Sequence, residues 1–156
     1  VAPFIMAPIN TKNVHRTNFL LDFPYGEDFK YDEMVVTSPG DLGKQAAEMV
    51  AKANPFGGDD APKPGEGPTK EQRENGYYDI VFIGETADGE TASLCVKGDK
   101  DPGYGSTSKM IAESALCLAQ DKIKKGGGIW TAGALMGKKL VSRLEDRAGL
   151  NFVVES

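Results

Sequence analysis

Tyr78, Ile80 and Phe82 alternate with Tyr77, Asp79, Val81 and Ile83, and Ala92, Leu94 and Val96 alternate with Thr91, Ser93, Cys95 and Lys97. A period of two places alternate side chains on opposite faces of a strand. Strands are therefore expected over Tyr77–Ala87 and Glu90–Gly98, joined at Asp88-Gly89 by a two-residue hairpin turn. Elsewhere the period lengthens to that of a helix. Pro3–Asp22 reads as a helix with Val14, Phe19, Leu20 and Leu21 as apolar positions and Lys12, His15 and Arg16 as a basic patch. Asn10, Thr11, Asn13 and Asn18 give it a polar side that suits a cleft or an interface.

After a turn at Phe23–Gly26, Phe29–Thr37 reads as a strand. Asp41–Asn54 follows as a helix with Leu42, Ala46, Met49, Val50 and Ala53 at helical spacing. Pro55–Thr69 is rich in Pro, Gly and acid, so an exposed insertion loop or lid is expected. Thr69 and Gln72 make a capping box for a short helix reaching Asn75. Met110, Ile111, Ala115, Leu118 and Ala119 form the apolar stripe of a helix, with Ala112, Ser114 and Cys117 as small neighbours. Three glycines, Gly126–Gly128, separate it from a last helix. Thr131 is that helix's expected N-cap, and Met136, Leu140, Val141, Leu144 and Ala148 are its buried side. Gly149 suits a left-handed helix end, and Asn151–Glu155 closes the chain as a strand. The elements predict an α+β fold with a mainly antiparallel sheet of four or more strands packed with helices.

Composition narrows the function classes. The 156 residues suit one domain, and 40% apolar with 26% charged residues is ordinary for a globular protein. A net charge of −5 argues against a nucleic-acid partner or an anionic membrane surface. No apolar run approaches the roughly 20 residues of a transmembrane helix. The chain starts with Val and without a signal-like leader, so a processed chain or a segment of a longer one is expected. Cys95 and Cys117 match no metal or redox spacing and read as buried, reduced thiols of a cytoplasmic protein; with His15 the single histidine, no metal site is expected.

The chemistry concentrates in Lys97–Ala119, a strand, a turn-rich loop and a helix start. Asp101-Pro102-Gly103 is a turn, and Ser106 and Thr107 are candidate N-caps of a helix whose N-terminus could face an anion. The loop is no nucleotide fingerprint. Ser108 stands where G-x-G-x-x-G needs glycine, and Tyr104 stands where a phosphate loop needs lysine. Tyr104 and Lys109 are candidate catalytic proton-transfer groups, and Asn10, Arg16, Asp101, Tyr104, Ser106 and Thr107 are candidate substrate contacts. A hydrogen-bonded polar seam between helices is the structural alternative.

Three segments carry a resemblance. They are Met6–Thr11 with His15–Asn18, Gly98–Thr107 continuing through Met110 and Glu113–Leu118, and Gly127–Thr131 with Met136-Gly137, Leu140 and Arg143-Leu144. Together they resemble the C-terminal part of saccharopine dehydrogenase-like oxidoreductases, including the group called trans-acting enoyl reductases. The resemblance implies a longer parent with an N-terminal Rossmann domain that binds NAD or NADP, and residues 1–156 as a single substrate-binding and dimerisation domain. Hydride transfer between nicotinamide and a C=O, C=N or C=C bond of a small molecule would be the reaction class. This chain alone would bind no cofactor, would be inactive and would form a homodimer with its like. A non-catalytic dimerisation or interaction module is the other reading.

Overall fold

The computed structural model describes residues 1–53 and 65–155. The expected loop at Pro55–Thr69 falls mostly outside them. The chain groups into two compact units: Val1–Glu66 with Gly128–Ala134, and Gly67–Gly127 with Leu135–Ser156.

The first unit is built on α1 (Ala7–Leu20) and α2 (Gly40–Lys52), beside a two-stranded antiparallel pair of β1 (Ala2–Pro3) and β2 (Met34–Val35). α1 therefore starts at Ala7 rather than Pro3. The residues before it are drawn into the ladder, where Ala2 pairs with Val35, and Pro8 enters within the first helical turn, where a missing N–H costs nothing. The end of α1 is held by Asn18, which is buried. Its amide donates to the Gly26 carbonyl at 2.8 Å and its oxygen accepts the Tyr25 N–H at 3.1 Å, which fixes the Phe23–Gly26 turn.

The expected strand Phe29–Thr37 contracts to two residues. Phe29 is committed to rings instead, lying 5.7 Å from His15, 5.3 Å from Tyr25 and 6.3 Å from Tyr31 between centroids. α2 meets the chain through Gly43, where an added Cβ would stand 1.5 Å from the Ser38 carbonyl oxygen. Its apolar residues Leu42 and Met49 are exposed.

The second unit is an antiparallel sheet of β3 (Tyr78–Glu85), β4 (Thr91–Gly98) and β5 (Leu150–Glu155), with β4 in the centre. Ile80, Val96 and Phe152 pair across one face, and Val81, Cys95 and Val153 across the other. The first face joins α4 (Gly105–Gln120) and α6 (Lys138–Arg147) in one core of Val96, Cys117, Met136, Leu140, Leu144, Ala148 and Leu150. Among the described residues the strands form separate sheets of two and three, so the expected single sheet of four or more is corrected. The α+β class stands, and both sheets are wholly antiparallel.

The β3–β4 connection is a three-residue loop rather than a two-residue turn. The Gly89 N–H donates to the Thr86 carbonyl and the Thr86 N–H to the Glu90 carbonyl, with Gly89 at φ +87°. This is a type I turn closed by a left-handed glycine. The last helix is divided into α5 (Ala132–Met136) and α6 by Gly137 at φ +48°. The capping box of α3 (Lys70–Asn75) is present with both of its hydrogen bonds. Gly149 takes the left-handed φ of +73°.

α4 keeps only Met110 of the expected apolar stripe against the core. Ser106 and Cys117 are fully buried with Met110, Glu113 and Ser114 partly so, whereas Ile111 and Leu118 are 67% and 51% exposed. Small side chains let the helix lie close on the core, and that close approach turns the bulkier stripe outward.

Candidate functional site

The loop Gly98–Lys109 carries most of the chemistry singled out in the sequence, and glycine makes it compact. An added Cβ on Gly76 would stand 2.7 Å from Asp101 Cα, and one on Gly105 would stand 2.8 Å from the Arg73 carbonyl oxygen. The loop is fastened to α3 through main-chain acceptors. The Asp101 N–H donates to the Arg73 carbonyl at 3.2 Å, and Lys100 Nζ donates to the Glu74 carbonyl at 3.1 Å.

Asp101 organises this loop. Its carboxylate accepts the N–H groups of Gly103 at 2.9 Å, Tyr104 at 3.2 Å and Gly105 at 2.5 Å. The main-chain donor of Gly105 first, then those of Tyr104 and Gly103, hold its carboxyl below the usual carboxylate range. The N-terminus of α4 thus already faces an anion, and that anion belongs to the chain itself. Ser106 and Thr107 are not the cap. Ser106 is wholly buried, its hydroxyl 2.9 Å from the Tyr78 hydroxyl, and the Thr107 hydroxyl donates to the Pro102 carbonyl at 2.6 Å.

Tyr104 and Lys109 differ in how far they are committed. Lys109 Nζ lies 2.7 Å from Asp99 Oδ1, and the Asp99 carboxyl packs against the backbone of Gly149. Tyr104 is 58% exposed, its ring against Gly67, and its hydroxyl makes no hydrogen bond to the described residues. It is the uncommitted proton-bearing group of the loop.

Asn10 and Arg16 lie on α1 in the first unit. Asn10 donates to Glu33 Oε2 at 2.8 Å, and the other Glu33 oxygen accepts the Tyr31 hydroxyl at 2.8 Å. Burial, with the Glu33 carboxylate beside it, pushes the Tyr31 phenol up to about 12. The Arg16 guanidinium sits over the Phe19 ring, 5.3 Å from its centroid.

Sequence reasoning missed one polar cluster. Arg143 on α6 clamps the C-terminal half of α4. It reaches both oxygens of Asp121 at 2.8 and 2.9 Å, Glu113 at 3.1 Å and Gln120 at 3.3 Å. Arg143 and Glu113 are each 12% exposed. The arginine holds the Asp121 carboxyl well below its usual range, and burial raises the adjacent Cys117 thiol. Glu113 set among small residues, facing an arginine in the α6 pattern, was the available signal. The cluster is an α4–α6 fastener built on bidentate geometry.

Among the described residues no group of three or more His, Cys, Asp or Glu could hold a metal ion. No helix of the described residues is long and apolar enough to cross a membrane.

The chain is similar to trans-acting enoyl reductases. A Mycobacterium tuberculosis protein provisionally named as one is 38% identical over 92% of this chain. The trans-acting enoyl reductases of Mycobacterium ulcerans and Mycobacterium bovis are each 30% identical over 90% of it. The chain spans 38% of the length of these relatives. No protein-family model matches it. No solved structure matches it significantly. The likeness supports the trans-acting enoyl reductase group.

Proposed function

We propose that this chain is the substrate-side and assembly portion of an NAD(P)-dependent, saccharopine dehydrogenase-like oxidoreductase, cytoplasmic and acting on a small molecule. Hydride transfer to or from a C=O, C=N or C=C bond is the reaction class, and a C=C bond conjugated to a carbonyl is the acceptor the relatives' names favour. The observation that carries this reading is a likeness that runs along nine-tenths of the chain yet occupies little more than a third of each relative. Such proportions fit one portion of a larger enzyme.

The Gly98–Lys109 loop does not suit a dinucleotide. The loop lacks the glycine pattern, and the Asp101 carboxylate occupies the α4 N-terminus that a pyrophosphate would need. The proposal therefore assigns the cofactor to a Rossmann domain elsewhere in the same protein. What this chain supplies is Tyr104, an exposed hydroxyl on a loop held rigid by Asp101 and α3, placed to give a proton to substrate. Lys109, fixed on Asp99, is the second proton-transfer candidate. Asn10 and Arg16, with Asp101, Ser106 and Thr107, are the remaining substrate-side candidates; Asp101, Ser106 and Thr107 act by shaping the loop.

Tyr104→Phe in the full-length protein is expected to lower kcat on a 2-enoyl substrate by about a hundredfold while leaving NADPH affinity unchanged. Unchanged turnover would remove Tyr104 from the chemistry.

A second reading, an assembly module, is favoured by one observation. Ile111, Ala115 and Leu118 present an outward apolar stripe on α4, and Val81 and Ile83 are exposed on β3. If these surfaces join two copies, Leu118→Lys lowers the mass measured by light scattering from dimer to monomer. A mass that is monomeric before the substitution would contradict the dimer.

A further inference from the structure

Within the first unit, α1 and the segment Trp130–Gly133 enclose a groove of about 420 Å³, lined by Asn13, Val14, Thr17, Trp130, Thr131 and the small residues after it. That volume lies inside the range of roughly 300–1,000 Å³ found for small-molecule sites. Indole, isopropyl and methyl groups supply apolar wall, and two threonine hydroxyls, the Asn13 amide and the indole N–H supply polarity. We infer that this groove binds a small neutral molecule with an apolar body and a hydrogen-bond donor, an N–H or O–H, in preference to one that offers only a carbonyl or an anion.

The preference follows from where the hydroxyl protons go. A threonine hydroxyl has one proton and two lone pairs. Thr17 Oγ1 lies 2.8 Å from the Asn13 carbonyl oxygen, which can only accept, so the Thr17 proton is spent there. Thr17 Oγ1 also lies 2.7 Å from Thr131 Oγ1, so in that pair Thr131 donates and Thr17 accepts. Thr131 in turn accepts the Ala134 N–H at 3.4 Å. Both protons are consumed, and each oxygen keeps one lone pair. The paired hydroxyls can therefore only accept from a ligand. The Asn13 side chain stands exposed at the rim, where water screens its own preference. The Asn13 carbonyl, fixed in the backbone of α1, therefore sets the proton order of the pair.

The inference does not rest on the oxidoreductase reading. Trp130 is the single tryptophan of the chain, so its indole N–H signal in a ¹⁵N-correlated NMR spectrum reports the groove directly. N-benzylacetamide and N-benzyl-N-methylacetamide share a carbonyl and a ring, and only the first has an N–H. N-benzylacetamide is expected to shift the Trp130 signal and to bind about five- to tenfold more tightly than its methylated partner. Thr17→Val frees the Thr131 proton and should erase or reverse that ratio, whereas Thr17→Ser should keep it. Equal binding of the two probes to the unmodified chain would overturn the inference. So would the absence of any Trp130 shift with either probe, or a preference that survives Thr17→Val. The comparison on the unmodified chain stands even if Thr17→Val fails to fold.

Discussion

Asp101 shows how one side chain can close a possible site. As a residue in a turn before a helix it invites a functional reading, because helix N-termini attract anions. In the fold, three consecutive main-chain donors converge on its own carboxylate. Its carboxyl titrates below the range of an unfolded aspartate, about 3.9. A depressed folded-state value stabilises the fold above the unfolded value, and that contribution disappears as pH falls through the folded one. Asp101→Asn should accordingly lower the melting temperature by a few degrees at neutral pH. The difference should begin to shrink below about pH 4, where the unfolded aspartate takes up its proton, and close as pH falls through the lower folded-state value. Melting curves recorded across that range check this, and a constant gap would show that the charge is not what caps α4. The Asp-Pro-Gly turn was legible in the residues, but the capture of the carboxylate was not, because Gly103, Tyr104 and Gly105 converge only once the loop has closed on α3. The Thr17–Thr131 contact was hidden for a related reason: 114 positions separate its two halves.

At the scale of elements, patterning worked for the strands of the second unit and for the last helix. β3, β4, β5 and the stripe of α6 lie where their periods place them. It failed on α4, where Ile111 and Leu118 outrank Ser106, Glu113 and Cys117 in hydrophobicity yet face solvent. Close packing of small groups, with Arg143 satisfying Glu113 and Asp121, competes there with the transfer of larger side chains out of water. A paired substitution measures the difference. Leu144→Ala, in the core, should cost about 2–4 kcal/mol, and Leu118→Ala should stay within about 0.5 kcal/mol. Urea unfolding of both variants gives the two numbers, and comparable losses would mean that the outward face of α4 is buried in solution. The strand Phe29–Thr37 failed for another reason. Phe29 and Tyr31 carry strand propensity, but ring contacts of Phe29 with His15, Tyr25 and Tyr31 and a carboxylate at Glu33 offered them better partners.

Across the whole molecule, the fold class was legible and the division of the sheet was not. Ala2–Pro3 and Met34–Val35 are too short to register as strands, and they pair with one another rather than extending β3–β5. The resemblance carried by Asp101–Gly105 and Gly127–Thr131 pointed to the same group as the curated relatives. The assignment of cofactor to another part of the protein joins that likeness to the blocked α4 N-terminus. Calorimetric titration of NADPH into this chain and into the full-length protein tests that division of labour most directly. The account predicts tight binding by the full-length protein and none by this chain. Tight binding by this chain alone, or none by the full-length protein, would contradict it.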